Sequence, residues 1–202
     1  PICQTFAGDI NSVSGNTSGA LVVNSANTSG VNTLSGGIYL DSPLRITNSA
    51  GGTLALSGTT DVKGNQLVIR PAGTVTVANL TSSLAAGGTL LINGAGTVNL
   101  TNTSATYTGT SSGSLNAAGT QISAGTLSIA GDTSLGVAPA GAYNNLQFLG
   151  SGTLLAGANN ISLNANRSIL VTNGAAATID VGTNTMTVNG VINGAGTVTK
   201  SG

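Results

Sequence analysis

The 202-residue chain carries almost no charge: five Lys and Arg, five Asp, no Glu and no His. Charged residues make up 5%, against roughly 25% in an ordinary globular protein. The bases Arg45, Lys63, Arg70, Arg167 and Lys200 are scattered. They form no patch able to neutralise a phosphate backbone, so nucleic acid is not an expected partner. Without His and Glu, general acid–base chemistry falls to Asp and Lys alone, and no enzymatic activity is expected. Cys3 is the only cysteine, which rules out an internal disulfide and a zinc site of the usual Cys/His kind; it reads as an inert small hydrophobe, with an intermolecular disulfide or anchor as the lesser alternative. No metal or cofactor is expected. Apolar runs last only a few residues, far short of the roughly 20 that span a bilayer as a helix, so this segment is not expected to insert into a membrane. The chain starts at Pro1 and stops at Lys200-Ser201-Gly202 after a strand-like run. It reads as a piece of a longer polypeptide.

Hydrophobic residues are nonetheless 40% and glycines number 31. Disorder goes with low hydrophobicity and high net charge, and this chain has neither. Its dominant pattern is Gly-Thr-apolar-x-apolar, as at Gly52–Leu56, Gly73–Val77, Gly96–Leu100 and Gly125–Ile129. Strict alternation puts Val, Leu and Ile on one face and Thr, Ser or Asn on the other, the signature of a half-buried strand. Gly, Asn, Ser and Asp bound the runs and mark turns. Helical periodicity is absent; the best candidate, Leu84-Ala85-Ala86, is cut short by Gly87-Gly88, glycine costing a helix roughly 1 kcal/mol per residue.

The heptapeptide Ile92–Val98 recurs letter for letter as Ile192–Val198, and fixed-period self-similarity marks repeat architectures. Residues 34–98 and 135–198 read as two copies of a module, with 99–134 as connecting coils in one segment covering 1–202. The Ser/Thr/Gly-rich part, 101–124, is the expected place for an irregular loop, with Leu115, Ile122 and Leu127 able to continue the winding. Short strands with small turns fit a sandwich, a propeller or a β-solenoid. The lack of aromatics disfavours a sandwich core. Slim aliphatics suit stacking between successive coils, and recurring Asn and Gly suit corners. Asn side chains can also form amide ladders along the axis. Coils of roughly 20–25 residues predict about nine coils and, at ~4.8 Å per coil, a rod about 40–45 Å long.

The run Gly125–Ile129, Ser134-Leu135-Gly136, Gly152-Thr153-Leu154, Asn166–Ile169, Thr178–Val181, Thr185–Val188 and Val191–Gly202 closely resembles the autotransporter-associated β-strand repeat of bacterial surface proteins, also called the passenger-associated transport repeat. The closing Gly-x-Gly-x-apolar-Thr-Lys-x-Gly is its most specific element. The likeness is good over 125–202 and looser over 34–98, whose heptapeptide continues as Asn99-Leu100-Thr101-Asn102 and lacks the Thr-Lys-x-Gly ending. The resemblance implies an all-β, right-handed parallel β-helix at the surface of a Gram-negative bacterium or secreted from it. It implies a stalk or scaffold part of an adhesin-like passenger, its partners being flanking coils and host-cell or surface glycans. Low charge also permits end-to-end self-association into a fibre, sheath or extracellular matrix. A polysaccharide-binding or polysaccharide-acting β-helix is the remote alternative.

Few residues invite a chemical reading. Asp41 and Asp61 lie 20 apart, so one coil can stack them as a carboxylate pair for a sugar or cation; the plainer reading is two solvated turn residues balanced by Arg45 and Lys63. Asp180, flanked by Ile179 and Val181, should point outward. The Arg167 stem can cover apolar surface while its head reaches corner carbonyls. Thr-x-Thr units at 74–76, 185–187 and 197–199 suggest water-ordering rows like those of ice-binding proteins, but their spacing is uneven. Sequons at Asn16, Asn27 and Asn160 follow from composition alone.

Overall fold

A computed structural model describes residues 5–6, 10–11, 22–26, 28–84, 87–102, 105–108 and 118–202. Cys3, Asn16, Asn27, Ala85, Ala86 and Leu115 lie outside the described residues. The fold is all-β: parallel strands stack as a β-solenoid of about seven turns, with one 3₁₀ turn at Asp132–Leu135.

Three faces repeat in each coil. The first face joins Val31–Leu34, 53–56, 74–77, 97–100, 126–129, Gly152–Ala156, Ala176–Asp180 and Thr197–Ser201 in unbroken parallel register. The second joins Val22–Ser25, Leu44–Asn48, Gln66–Pro71, 89–92, 120–122, Tyr143–Phe148, Arg167–Val171 and Ile192–Gly194. The third face is less regular. It pairs Ile10–Asn11 with Ile38–Tyr39, 59–61 and 79–81 at one end, and Ile161–Leu163 with Met186–Val188 at the other.

The core is a set of aliphatic columns. Alternation turns every second residue of a strand inward, so Leu44, Leu67 and Leu90 lie one above another, as do Ile46, Ile69, Ile92, Ile122 and Phe148, all essentially without exposure. On the first face Leu54, Val75, Val98, Leu127 and Leu154 make a parallel column. Like side chains stacked at the inter-strand spacing bury one another, so short aliphatics can exclude water without aromatics.

The Gly-Thr motif has a steric cause. A Cβ on Gly73 would overlap the carbonyl oxygen of Gly52, and one on Gly96 would overlap that of Gly73. At these two corners the coil below leaves no room for a side chain, whereas Ala177 and Val198 take the same register position further along the rod. A threonine falls at one register position from Thr53 onward: Thr53, Thr74, Thr97, Thr126, Thr153, Thr178 and Thr199 pair in succession, with Val31 at that position in the coil before and with Ala177 and Val198 in place of the glycine ahead of the last two. The steps along the chain are unequal, short from Thr53 to Thr74 and long from Thr97 to Thr126. Uneven spacing in sequence thus becomes an even row in space. Of the Thr-x-Thr units, Thr74 and Thr199 belong to that row, whereas Thr187 pairs with Ser162 on the third face.

The expected nine coils are corrected to about seven, which makes the rod roughly 35 Å long at ~4.8 Å per turn. The two middle coils, from Thr97 to Thr126 and from Thr126 to Thr153, are the longest. More chain lies there between the end of a first-face strand and the start of the next second-face strand. Ile122 and Leu127 do continue the winding, fully buried. The twin heptapeptides lie four coils apart, displaced by two positions: Ile92 connects in register through Ile122, Phe148 and Val171 to Gly194, whereas Ile192 pairs with Ile169. A shift of two keeps each residue on its own side of the sheet.

Corner asparagines act on backbone rather than mainly on one another. The side-chain amides of Asn65, Asn102, Asn166, Asn184 and Asn189 donate to the carbonyls of Leu40, Leu80, Pro139, Ala156 and Leu163 in the preceding coil, at 2.7–3.0 Å. The expected amide ladder is largely replaced by these side-chain-to-backbone brackets; Asn193 to Asn144, at 3.0 Å, is an amide–amide contact. Leu67→Ala, in the middle of a column, should cost about 2–5 kcal/mol, and Thr97→Ala, on the outer row, no more than about 1 kcal/mol. Denaturant unfolding of the two variants tests this ordering; equal losses would contradict the columns as the main source of stability.

Candidate functional site

The chain's acidic side chains are all aspartates. Register pairs Asp61 with Tyr39, which sets Asp41 beside Lys63 rather than beside Asp61. Lys63 Nζ lies 3.0 Å from Asp41 Oδ1, with both side chains partly exposed, and 5.6 Å from the centroid of the Tyr39 ring. Asp61 is not the solvated turn residue expected from sequence: it is 6% exposed. Its Oδ1 accepts the Lys63 N–H at 3.0 Å and the Ser83 N–H at 2.9 Å. The tight turn it caps is closed by Asn65 N–H to Val62 O, with φ of 43° at Lys63 and 76° at Gly64. Burial alone would raise the Asp61 pKa. The Ser83 side chain and N–H, the Lys63 N–H and the Lys63 charge outweigh it, and the net shift is downward from 3.8. The two carboxylates thus serve different contacts and do not converge on a common groove.

The same corner device recurs. Asp180 faces outward, half-buried beside buried Ile179, and its Oδ1 accepts the Gly182 N–H at 2.9 Å. Asn164 Oδ1 accepts the Asn166 N–H at 2.9 Å. A carboxylate or amide oxygen meeting the N–H two residues on is an Asx turn, and here it fixes the chain where it leaves a strand.

The most elaborate cluster joins the two long coils to the coil that follows them. Arg167, at the start of a second-face strand, is completely buried. Its Nε lies 2.9 Å from Asp132 Oδ1, and its guanidinium also donates to Asn145 Oδ1 and to the carbonyls of Leu135 (3.1 Å) and Gly136 (3.0 Å). The donors of one planar group thereby fasten the 3₁₀ turn Asp132–Leu135 against the coil. Tyr107, also buried, shares a 2.8 Å hydrogen bond with Thr120 and donates to Ser134 O at 3.2 Å. Burial pushes its pKa up to about 12, against the opposing effects of the Thr120 contact and the Arg167 charge. Ser134 Oγ donates to Asn102 O at 2.6 Å. The chemistry of arginine predicts the Arg167 head on corner carbonyls but not its partner Asp132, 35 positions away. No local pattern announces that pair.

Beside this cluster lies a concavity of about 470 Å³ between Thr108 and Val137–Tyr143. Its walls are mostly apolar, and the Tyr143 hydroxyl is committed to Thr108 O at 3.1 Å. No acid, base or thiol is among its lining residues, so it can shelter a small neutral group but offers no proton-transfer chemistry. Among the described residues no group of three or more His, Cys, Asp or Glu could hold a metal ion, and no helix is long and apolar enough to cross a membrane. Comparison with protein-family models, curated proteins and solved structures finds no match to this chain.

Two variants test these roles. Arg167→Met removes the charge partner of Asp132, whose Oδ1 keeps only the Asn164 N–H at 2.9 Å, and the guanidinium donor of two buried carbonyls; it should cost about 3–5 kcal/mol in denaturant unfolding, and a loss below about 1 kcal/mol would contradict the fastening role. Asp61, with its pKa depressed, adds stability that is present above its unfolded value of 3.8 and lost as pH falls through the lower folded value. The unfolding midpoint of the native chain should therefore drop below about pH 4, and Asp61→Asn should flatten that drop; an unchanged acid profile in the variant would contradict the assignment.

Proposed function

We propose that this chain is a structural stalk or scaffold segment of a cell-surface or secreted autotransporter-like adhesin of a Gram-negative bacterium. The observation that carries the reading is the continuity of the core. The aliphatic columns run from coil to coil, and the polar groups with the strongest geometry, Asp61, Arg167 and Tyr107, are all turned to holding corners. A rod built this way acts by length and stiffness and needs no catalytic centre. Its partners are flanking coils and, through them, host-cell or surface glycans. Antibodies against this segment should label intact source cells or their culture fluid. Labelling that appears only after the cells are broken would overturn the reading.

A second reading, a self-assembling subunit of an extracellular fibre, sheath or matrix, is favoured by the near absence of charge, which leaves edge-to-edge pairing of coils unopposed, and the coil ending at Gly202 offers an edge on which to test it. Val191, Ile192 and Val198 are 60%, 41% and 46% exposed there, whereas Ile169 and Ala177, which Ile192 and Val198 cover, are buried. If this open edge drives assembly, concentrated protein should sediment as filaments, and Ile192→Asp with Val198→Asp should sediment as single rods. Filaments that persist in the double variant would reject the edge as their origin.

A further inference from the structure

Four Asn-Gly pairs occur among the described residues, at 93–94, 173–174, 189–190 and 193–194. Such pairs are the most prone to spontaneous loss of the side-chain amide, because glycine leaves the following backbone nitrogen unshielded. The fold treats the four differently. Asn189 donates its side-chain amide to Ser162 Oγ and Leu163 O, both at 2.9 Å, and Asn193 donates to Asn144 Oδ1 at 3.0 Å. Asn93 lies within the long strand Thr89–Leu100, paired with Ala124, and Gly94 is pressed against Pro71 of the coil below. Asn173 has none of these restraints. It is exposed, its side chain makes no hydrogen bond to any described residue, and it occupies a turn closed by Ala175 N–H to Thr172 O at 3.0 Å. Gly174 follows at φ 78°, with nothing within 4 Å of where a Cβ would sit, a turn position suited to glycine.

We propose that Asn173 is a self-modification site: the Gly174 backbone nitrogen attacks the Asn173 side-chain carbonyl carbon and ammonia leaves. The nitrogen loses its proton, a five-membered succinimide closes, and water then opens it to aspartate or isoaspartate. No oxidant or cofactor enters the balance. The site has a structural consequence because the ends of this turn hold the last coil. Thr197 N–H donates to Ala175 O at 3.0 Å and Gly196 N–H to Val171 O at 3.1 Å. Isoaspartate adds one methylene to the backbone between these two acceptors, so they can no longer both meet the coil above. The product also carries one negative charge on a chain whose formal net charge is zero. Modification therefore loosens the strand Thr197–Ser201 and the edge that it forms.

The test is incubation of the folded chain in mildly alkaline buffer, followed by peptide fragmentation in a mass spectrometer. Residue 173 should convert from amide to acid at least tenfold faster than 93, 189 and 193, and in denaturant the four should convert at comparable rates. Conversion at 173 no faster than at the other three in the folded chain would overturn the proposal. Hydrogen exchange supplies the second readout. Amides of 196–201 should exchange faster in incubated native protein, and not in incubated Asn173→Gln, which keeps an exposed polar side chain in the turn. Equal acceleration in both would sever the modification from the last coil.

Discussion

Everything in this molecule depends on one coil lying directly on the next in parallel register. Each coil hands its backbone donors and acceptors to its neighbours and sets most inward side chains over another apolar one. Hydrogen bonding alone contributes modestly, since the unfolded chain bonds to water equally well. What the ladder does is fix spacing, so that Leu44, Leu67 and Leu90 or Ile46, Ile69 and Ile92 touch along their whole length. The aliphatic columns then supply the driving force. The steric closure at Gly73 and Gly96 follows from the same constraint, because coils this close leave no room for a Cβ at those two corners.

The corners are where coils of unequal length are reconciled. Short coils turn with an Asx oxygen, as at Asp61 and Asp180, and are braced by an asparagine amide reaching the coil below, as at Asn65 and Asn184. The two long coils need more. There a buried Arg167 reaching in from the coil that follows, its partner Asp132 and the Tyr107–Thr120 pair replace aliphatic packing with a hydrogen-bonded plug. Such a plug is sensitive to the loss of any one member, because a buried charge without its partner costs far more than the pair contributes. The scarcity of charge elsewhere is consistent with this: the few ionisable groups placed inside are ones that the backbone can satisfy.

Much of the architecture was legible because local pattern and global fold agree. The Gly-Thr-apolar-x-apolar runs at 52–56, 73–77, 96–100 and 125–129 all lie on the first face, and their alternation states which side chains face inward. Coil number was not legible, since it depends on how many residues the corners hold, and the stretches 101–119 and 131–142 carry no periodic signal. The threonine row was hidden for the same reason. A short step from Thr53 to Thr74 and a long one from Thr97 to Thr126 look irregular until the corners absorb the difference. Asp61 reads as solvated in the sequence because its burial comes from Ser83 and its own turn, contacts that polar sequence does not advertise. Arg167 was half legible, its reach toward carbonyls following from its chemistry and its ion pair from tertiary structure alone.

Distance along the rod counts coils, not residues. Spin labels on the outward threonine row, introduced as cysteines in a Cys3→Ser background, test it directly. Thr53 and Thr153 are four coils apart and Thr53 and Thr178 five, so the measured separations should rise by about 4.8 Å for each coil crossed, however much chain lies between. Pairs two coils apart, Thr53 with Thr97 and Thr97 with Thr153, should give the same distance although the second pair is more widely separated in sequence. Separations that scale with sequence distance instead would contradict the stacked-coil account.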